Sequence, residues 1–177
     1  MTQNTYGTVP DNVNFLSPNG FRFEINKLPD LTFFAQEVNL PGLTLGEPEF
    51  GTPFARVPVP GETLTYDSFE IRFIVDEEMT NYKAIYNWMV ALGFPESYTQ
   101  YVNLVNQAEI SAISELATNY SDAQLQILTN VNTSNQSVQF YDCFPIALSS
   151  VVFQSTNSDV PYVVANATFK FSYYKFL

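Results

Sequence analysis

Residues Phe69–Gly93, FEIRFIVDEEMTNYKAIYNWMVALG, change period part-way along, and that change decides the fold. Phe69, Ile71, Phe73 and Val75 share one face, while Glu70, Arg72 and Asp76 share the other, the two-residue period of a half-buried strand. Past Asp76-Glu77-Glu78, apolar residues recur at Met79, Tyr82, Ile85, Tyr86 and Met89, the stripe by which a helix packs on a core. Asp76 suits an N-cap, the adjacent glutamates favour the positive helix end, and Gly93 with Pro95 stops the helix. This line leaves Trp88 off the packed stripe, at its boundary or on a partner surface.

Around this unit the chain is almost all strand. Phe21, Phe23 and Ile25 alternate with polar neighbours after the Asn19-Gly20 turn. Leu31–Phe34 and Glu37–Leu40 read as a second strand with a bulge near Ala35-Gln36. Residues 43–59 hold Pro48, Pro53 and Pro58, so they cannot form ordinary central strands; an exposed hairpin meeting other chains is the reading, a plain loop its alternative. Ala123–Thr129 and Ser137–Tyr141 flank the turn-rich NVNTSNQ and form a second hairpin with Gln124, Gln126 and Gln139 on one side. Ile146 and Leu148 are in phase, and a bulge at Ser149-Ser150 shifts the phase to Val151 and Phe153. In the closing strand Val163, Ala165, Ala167, Phe169, Phe171 and Tyr173 face one way. Both hairpins carry less core-facing material than the other strands.

The expectation is a mainly β (α+β) domain at 19–177 of seven or eight strands, a two-sheet sandwich or barrel crossed by one flanking helix, with two extended hairpins. Residues 1–18 read as an N-terminal arm. Residues 96–120 are a possible insertion, with helical spacing at Ile110, Ile113, Leu116 and Ala117.

Composition narrows the chemistry. Of 177 residues, 46% are apolar and 16% aromatic, enough for one well-filled core. Only 14% are charged, below the roughly 25% usual for soluble domains. Either partner subunits cover part of the surface, or Asn, Gln, Ser and Thr supply the polar coat. The net charge of −11 with seven basic residues argues against gripping nucleic acid. With no histidine, the commonest general base and most zinc sites are missing. The lone Cys143 allows no intrachain disulfide and reads as a small buried hydrophobe. No signal peptide or membrane span is expected.

Two acidic groups merit weighing. Asp76-Glu77-Glu78 could be offered as a Ca²⁺ or Mg²⁺ site, but consecutive carboxylates diverge, and capping is favoured. Glu47 and Glu49 share a face, as a glycosidase pair would, yet nothing indicates a cleft. No phosphate loop, nucleophile elbow or CxxC motif occurs. The expectation is no enzyme, no cofactor and no metal.

The segments FEIRFIVDEEMTNYKAIYNWM at 69–89, FYDCFPIALSSVVF at 140–153 and ATFKFSYYKF at 167–176, with NGFRFEI at 19–25 and LPG at 40–42, resemble the tail-tube superfamily of contractile-tailed bacteriophages. The resemblance implies a subunit of hexameric rings that stack into a tube. Each copy lends two hairpins to a barrel lining the bore, where DNA passes during ejection without specific binding. It implies sheath and baseplate partners, and a place in the virion tail after assembly in the host cytoplasm. Leu43, Leu45, Glu47, Phe54, Arg56 and Val57 in the first hairpin, and Gln124, Gln126, Leu128 and Gln139 in the second, become candidate interface or lumen residues. The length of 96–120 leaves a baseplate ring that initiates the tube as an alternative, beside a tube ring of a type VI secretion-like machine. A glycan- or receptor-binding sandwich is the alternative of another class.

Overall fold

A computed structural model describes residues 15–93, 95–107, 119–154 and 162–177. Its centre is a bent antiparallel sheet in the order β1-β8-β9-β10-β7-β2, with β11 added to β9. The strands are β1 (Phe21–Ile25), β2 (Ala35–Val38), β7 (Phe69–Ile74), β8 (Ser121–Leu128), β9 (Ser134–Leu148), β10 (Val164–Lys170) and β11 (Tyr173–Phe176). The 15-residue β9 belongs to two layers. Its first half pairs with β8 and β11, its second half with β10. Asp142, at φ 56°, lies where the halves meet.

Alternation drives the layers together. Phe23 and Ile25 of β1, Ala123 and Leu125 of β8, and Val138 and Phe140 of β9 are buried from one layer; Phe69, Ile71, Phe73, Ala165, Ala167 and Phe169 are buried from the other. Phe69 meets Phe23 at 5.8 Å and Phe140 at 4.9 Å between ring centroids, so aromatic contacts join the two layers. The second hairpin is therefore a structural part of the sheet, which corrects the expectation that it carries little core.

Helix α2 (Thr80–Gly93) starts as the sequence suggests, by a longer turn. Met79 takes φ 56°, and Asp76 Oδ2 and Oδ1 accept the Thr80 and Asn81 amides, each at 3.0 Å. Buried Asn81 donates from Nδ2 to the Ile74 carbonyl at 2.8 Å, tying the helix to the end of β7. The packed line is Asn81, Ile85, Trp88 and Ala91. Trp88 is thus a core residue, its Nε1 donating to the Asn119 carbonyl at 3.2 Å, whereas Tyr86 is 54% exposed and off the packed face. Tyr82 and Met89 flank the core and Met79 is half-buried.

Other expectations shift. Leu31–Phe34 forms a helical turn, α1, rather than strand, since Pro29-Asp30 opens a turn and buried Leu31 anchors it. The bulge beside β2 falls between Ala35 and Glu37, as read. In β9 the extra residue is Ile146, not Ser149-Ser150: Pro145 and Ala147 face adjacent residues of β10. The closing strand breaks at Ser172, so Tyr174 rather than Tyr173 turns toward the core. In the 96–120 region a helix α3 (Thr99–Gln107) is present, while Ile110, Ile113, Leu116 and Ala117 lie outside the described residues. No helix among the described residues is long and apolar enough to cross a membrane.

Candidate functional site

The surface that the core does not explain is a protruding double hairpin. Strands β3 (Leu43–Leu45) and β6 (Leu64–Tyr66) form its base, β4 (Glu49–Gly51) and β5 (Arg56–Pro58) its outer part, and neither pair joins the central sheet. Between them the strands pinch together: the Gly61 amide donates to the Gly46 carbonyl at 2.7 Å, and a Cβ on Gly61 would collide with that oxygen. The tip closes where the Thr52 amide donates to the Ala55 carbonyl at 3.0 Å.

The arms place apolar side chains in solvent in cross-strand pairs. Leu45 faces Leu64, and Phe50 faces Val57. Phe54 at the tip is 99% exposed and Phe50 66%. Arg56 holds Glu49 at 3.0 Å, an exposed pair that stiffens the outer turn and contributes less than about 1 kcal/mol. The base is anchored firmly. Tyr66 lies edge-on to Phe171 and Tyr174, and Tyr174 Oη donates to the Pro41 carbonyl at 3.5 Å. Isolated ribbons of this kind are marginal in water, so its exposed edges and apolar pairs suit burial against another chain.

A second surface is the outer face of β1-β8-β9-β11. Gln124 pairs with Gln139 across β8 and β9, and Gln126 stands opposite Ser137. Arg22 and Glu24 flank this stripe on one side and Lys175 on the other. Lys175 Nζ lies over the stacked rings of Tyr141 and Tyr173, at 5.7 and 5.4 Å. Leu128 sits half-buried at the end of β8, where its amide donates to Gly20. The sequence-predicted glutamines thus come together on one face, apart from the protruding hairpin that holds Leu43, Leu45, Glu47, Phe54, Arg56 and Val57. Phe50 and Val59 lie within the hairpin read over 43–59 but were not named as candidates, and Leu64 lies beyond it, where the ribbon continues past the pinch at Gly46 and Gly61 to Tyr66.

Asp76 and Cys143 serve the fold. Burial raises the Asp76 carboxyl's pKa, yet the Asn81 and Thr80 amides outweigh this and hold it below its ordinary value, as befits a cap. Desolvation, with Asp122 nearby, pushes the buried Cys143 thiol up to about 12, which suppresses its nucleophilicity. A polar cleft of about 270 Å³ on β2, β7 and β10 is lined by Glu37, Asn39, Glu70, Arg72 and Asn166.

Over residues 4–177 the chain matches the family model of the phage tail tube protein, and it belongs to that family. It is 31% identical over 154 residues to the tail tube terminator protein of Enterobacteria phage T4, covering 85% of this chain and 80% of that one. Its fold is shared with the tube-terminating cap of the anti-feeding prophage, at 13% identity, TM-score 0.61 and 99% of both chains. It is shared too with a sheath/tube terminator of the extracellular contractile injection system PVC, at 15% identity, TM-score 0.56, and 94% and 99% coverage. The protein has a structural role in a tail tube and is a component of the virion tail.

Proposed function

We propose that six copies of this chain form a ring that ends a phage tail tube, with DNA passing through its bore. The projecting hairpin of residues 43–66 carries this reading: a ribbon that exposes Leu45, Phe50, Phe54, Val57 and Leu64 finds its cover on a neighbouring subunit. The T4 relative's name favours a terminating ring over a repeating tube subunit or a baseplate initiator. The ring number follows the resemblance to the tail-tube superfamily.

Gln124, Gln126 and Gln139 face the bore in this reading. Their stripe offers polar, uncharged contacts, with Arg22 and Lys175 balanced by Glu24 and Asp122 on the same face. Each lysine or arginine gripping a phosphate adds counterion-release affinity, and a ring repeats every contact, so a glutamine stripe whose flanking cations are matched by carboxylates lets a polyanion slide. The net charge of −11 adds long-range repulsion of the same sign. Partners are further copies of this chain, the tube ring beneath it, and sheath proteins at the same level.

Electron microscopy of the purified protein, alone and mixed with tubes of the same phage, tests this. Discrete hollow rings, found at tube ends in the mixture, are expected. Long tubes from this chain alone would make it the repeating subunit, and compact monomers at high concentration would remove the ring altogether.

A further inference from the structure

The layer that bears the glutamine stripe has two edges. Strand β1 is paired only with β8, and β11 only with β9, so each presents a free side among the described residues. All three pairings in this layer are antiparallel, which makes β1 and β11 run in opposite directions. Their directions therefore allow the β11 edge of one copy to take the β1 edge of another as an ordinary antiparallel neighbour.

Residues that stand opposite one another form rows across the four strands. One row reads Lys175, Gln139, Gln124, Glu24. It begins with a cation at one edge and ends with an anion at the other. Both charges are exposed, and among the described residues neither takes part in an ion pair. The next row ends at Arg22, opposite Gln126. On the inner side Phe176 shares a row with Val138, Leu125 and Phe23, yet it stays 58% exposed because the core stops at this edge.

We infer that copies join head to tail through a β11–β1 seam in which Lys175 of one copy pairs with Glu24 of the next. This rests on the ring reading above and adds the contact that sets its register. Three features act together. Backbone groups of two open edges satisfy each other. Phe176 gains the cover that its own layer lacks. The charges select one alignment: a slip of two residues one way sets Lys175 against Arg22, and two residues the other way sets it against Asn26. A slip of one residue moves Lys175 to the opposite face from Glu24. The stacked Tyr141 and Tyr173 rings, 4.6 Å apart, hold the Lys175 ammonium in place before the neighbour arrives.

Charge exchange on the full-length chain tests the seam, read by mass photometry across a concentration series. Lys175→Glu and Glu24→Lys, each alone, should raise the concentration needed for half-assembly by about threefold or more, because like charges then face each other across the strands. The double exchange should recover most of the loss. In parallel, Glu24→Cys with Lys175→Cys in one chain should give an oxidised ladder of covalent oligomers on a denaturing gel, with buried Cys143 as a silent background. Single exchanges that assemble like wild type, a double exchange no better than either single, or an absent ladder from assembled rings would overturn the seam while leaving the ring intact. Wild-type protein that forms no ring would overturn the ring reading itself, and the seam with it.

Discussion

Phe69 and Phe169 are cross-strand partners whose rings stack 5.2 Å apart and only 9° from parallel. Phe69 also touches Phe23, Phe140 and Phe171, so one side chain links the β7–β10 layer to the opposite layer and to the closing strand. Phe69→Ala should cost about 3–5 kcal/mol, a large share of a domain's stability. Urea denaturation monitored by circular dichroism measures it; a loss below about 1 kcal/mol would contradict this placement of the core.

The helix face makes a paired prediction. Trp88→Ala removes a buried ring and the indole donor to the Asn119 carbonyl and should cost about 3–5 kcal/mol. Tyr86→Ser, two residues away on the exposed side, should stay within about 0.5 kcal/mol of wild type as a monomer. Equal losses at both positions would mean the helix is rotated from the orientation described.

The Asp76 cap gives an acid limb to stability. Its carboxyl titrates below the ordinary value of 3.8 in the folded chain, so the unfolded chain binds the proton more readily. The cap's contribution is complete above pH 3.8 and disappears as pH falls through the lower folded value. Asp76→Asn should therefore melt at a lower temperature than wild type at pH 6, and the difference should shrink in strong acid. A difference independent of pH would rule out the ionised cap.

Cys143 should behave as an inert core atom. With its thiol pushed up to about 12 and its side chain fully enclosed, it should resist a thiol reagent at pH 8 and react only when denaturant opens the fold. Rapid labelling of native protein would show that β9 opens locally.

The projecting hairpin should separate folding from assembly. Phe54→Ser alters a side chain that touches little in the monomer, so the melting temperature should hardly change while rings are lost or weakened. Burial of such a ring on a neighbour is worth about 1.5–3 kcal/mol. Gly61→Val, which collides with Gly46, should weaken assembly by distorting the ribbon. Normal rings from both variants would show that the ribbon is not an intersubunit arm.

The sequence made the period change at Asp76 and the alternations of β1, β7 and β10 legible, because each buries one face only. Leu31–Phe34 was less readable: a short apolar run fits a helical turn as well as a strand until its contacts are known. Trp88 was misplaced because the helical line was drawn from Met79, which sits in a left-handed turn before the helix begins. The bend at Asp142 and the bulge at Ile146 depend on β9 serving two layers, a tertiary demand that local spacing does not carry. Of the candidate surface, proline marked the first hairpin as irregular, but its full length emerged only with the pinch at Gly46 and Gly61. Lys175 and Glu24 lie about 150 residues apart in sequence, and only the strand register sets them in one row.

The most direct measurement is a cryo-electron reconstruction of the assembled protein at side-chain resolution. It should show a hollow ring, with residues 43–66 of each copy lying on the next copy and Gln124, Gln126 and Gln139 facing the opening. Protomers whose ribbons fold back on their own domains, with no opening between copies, would contradict the account.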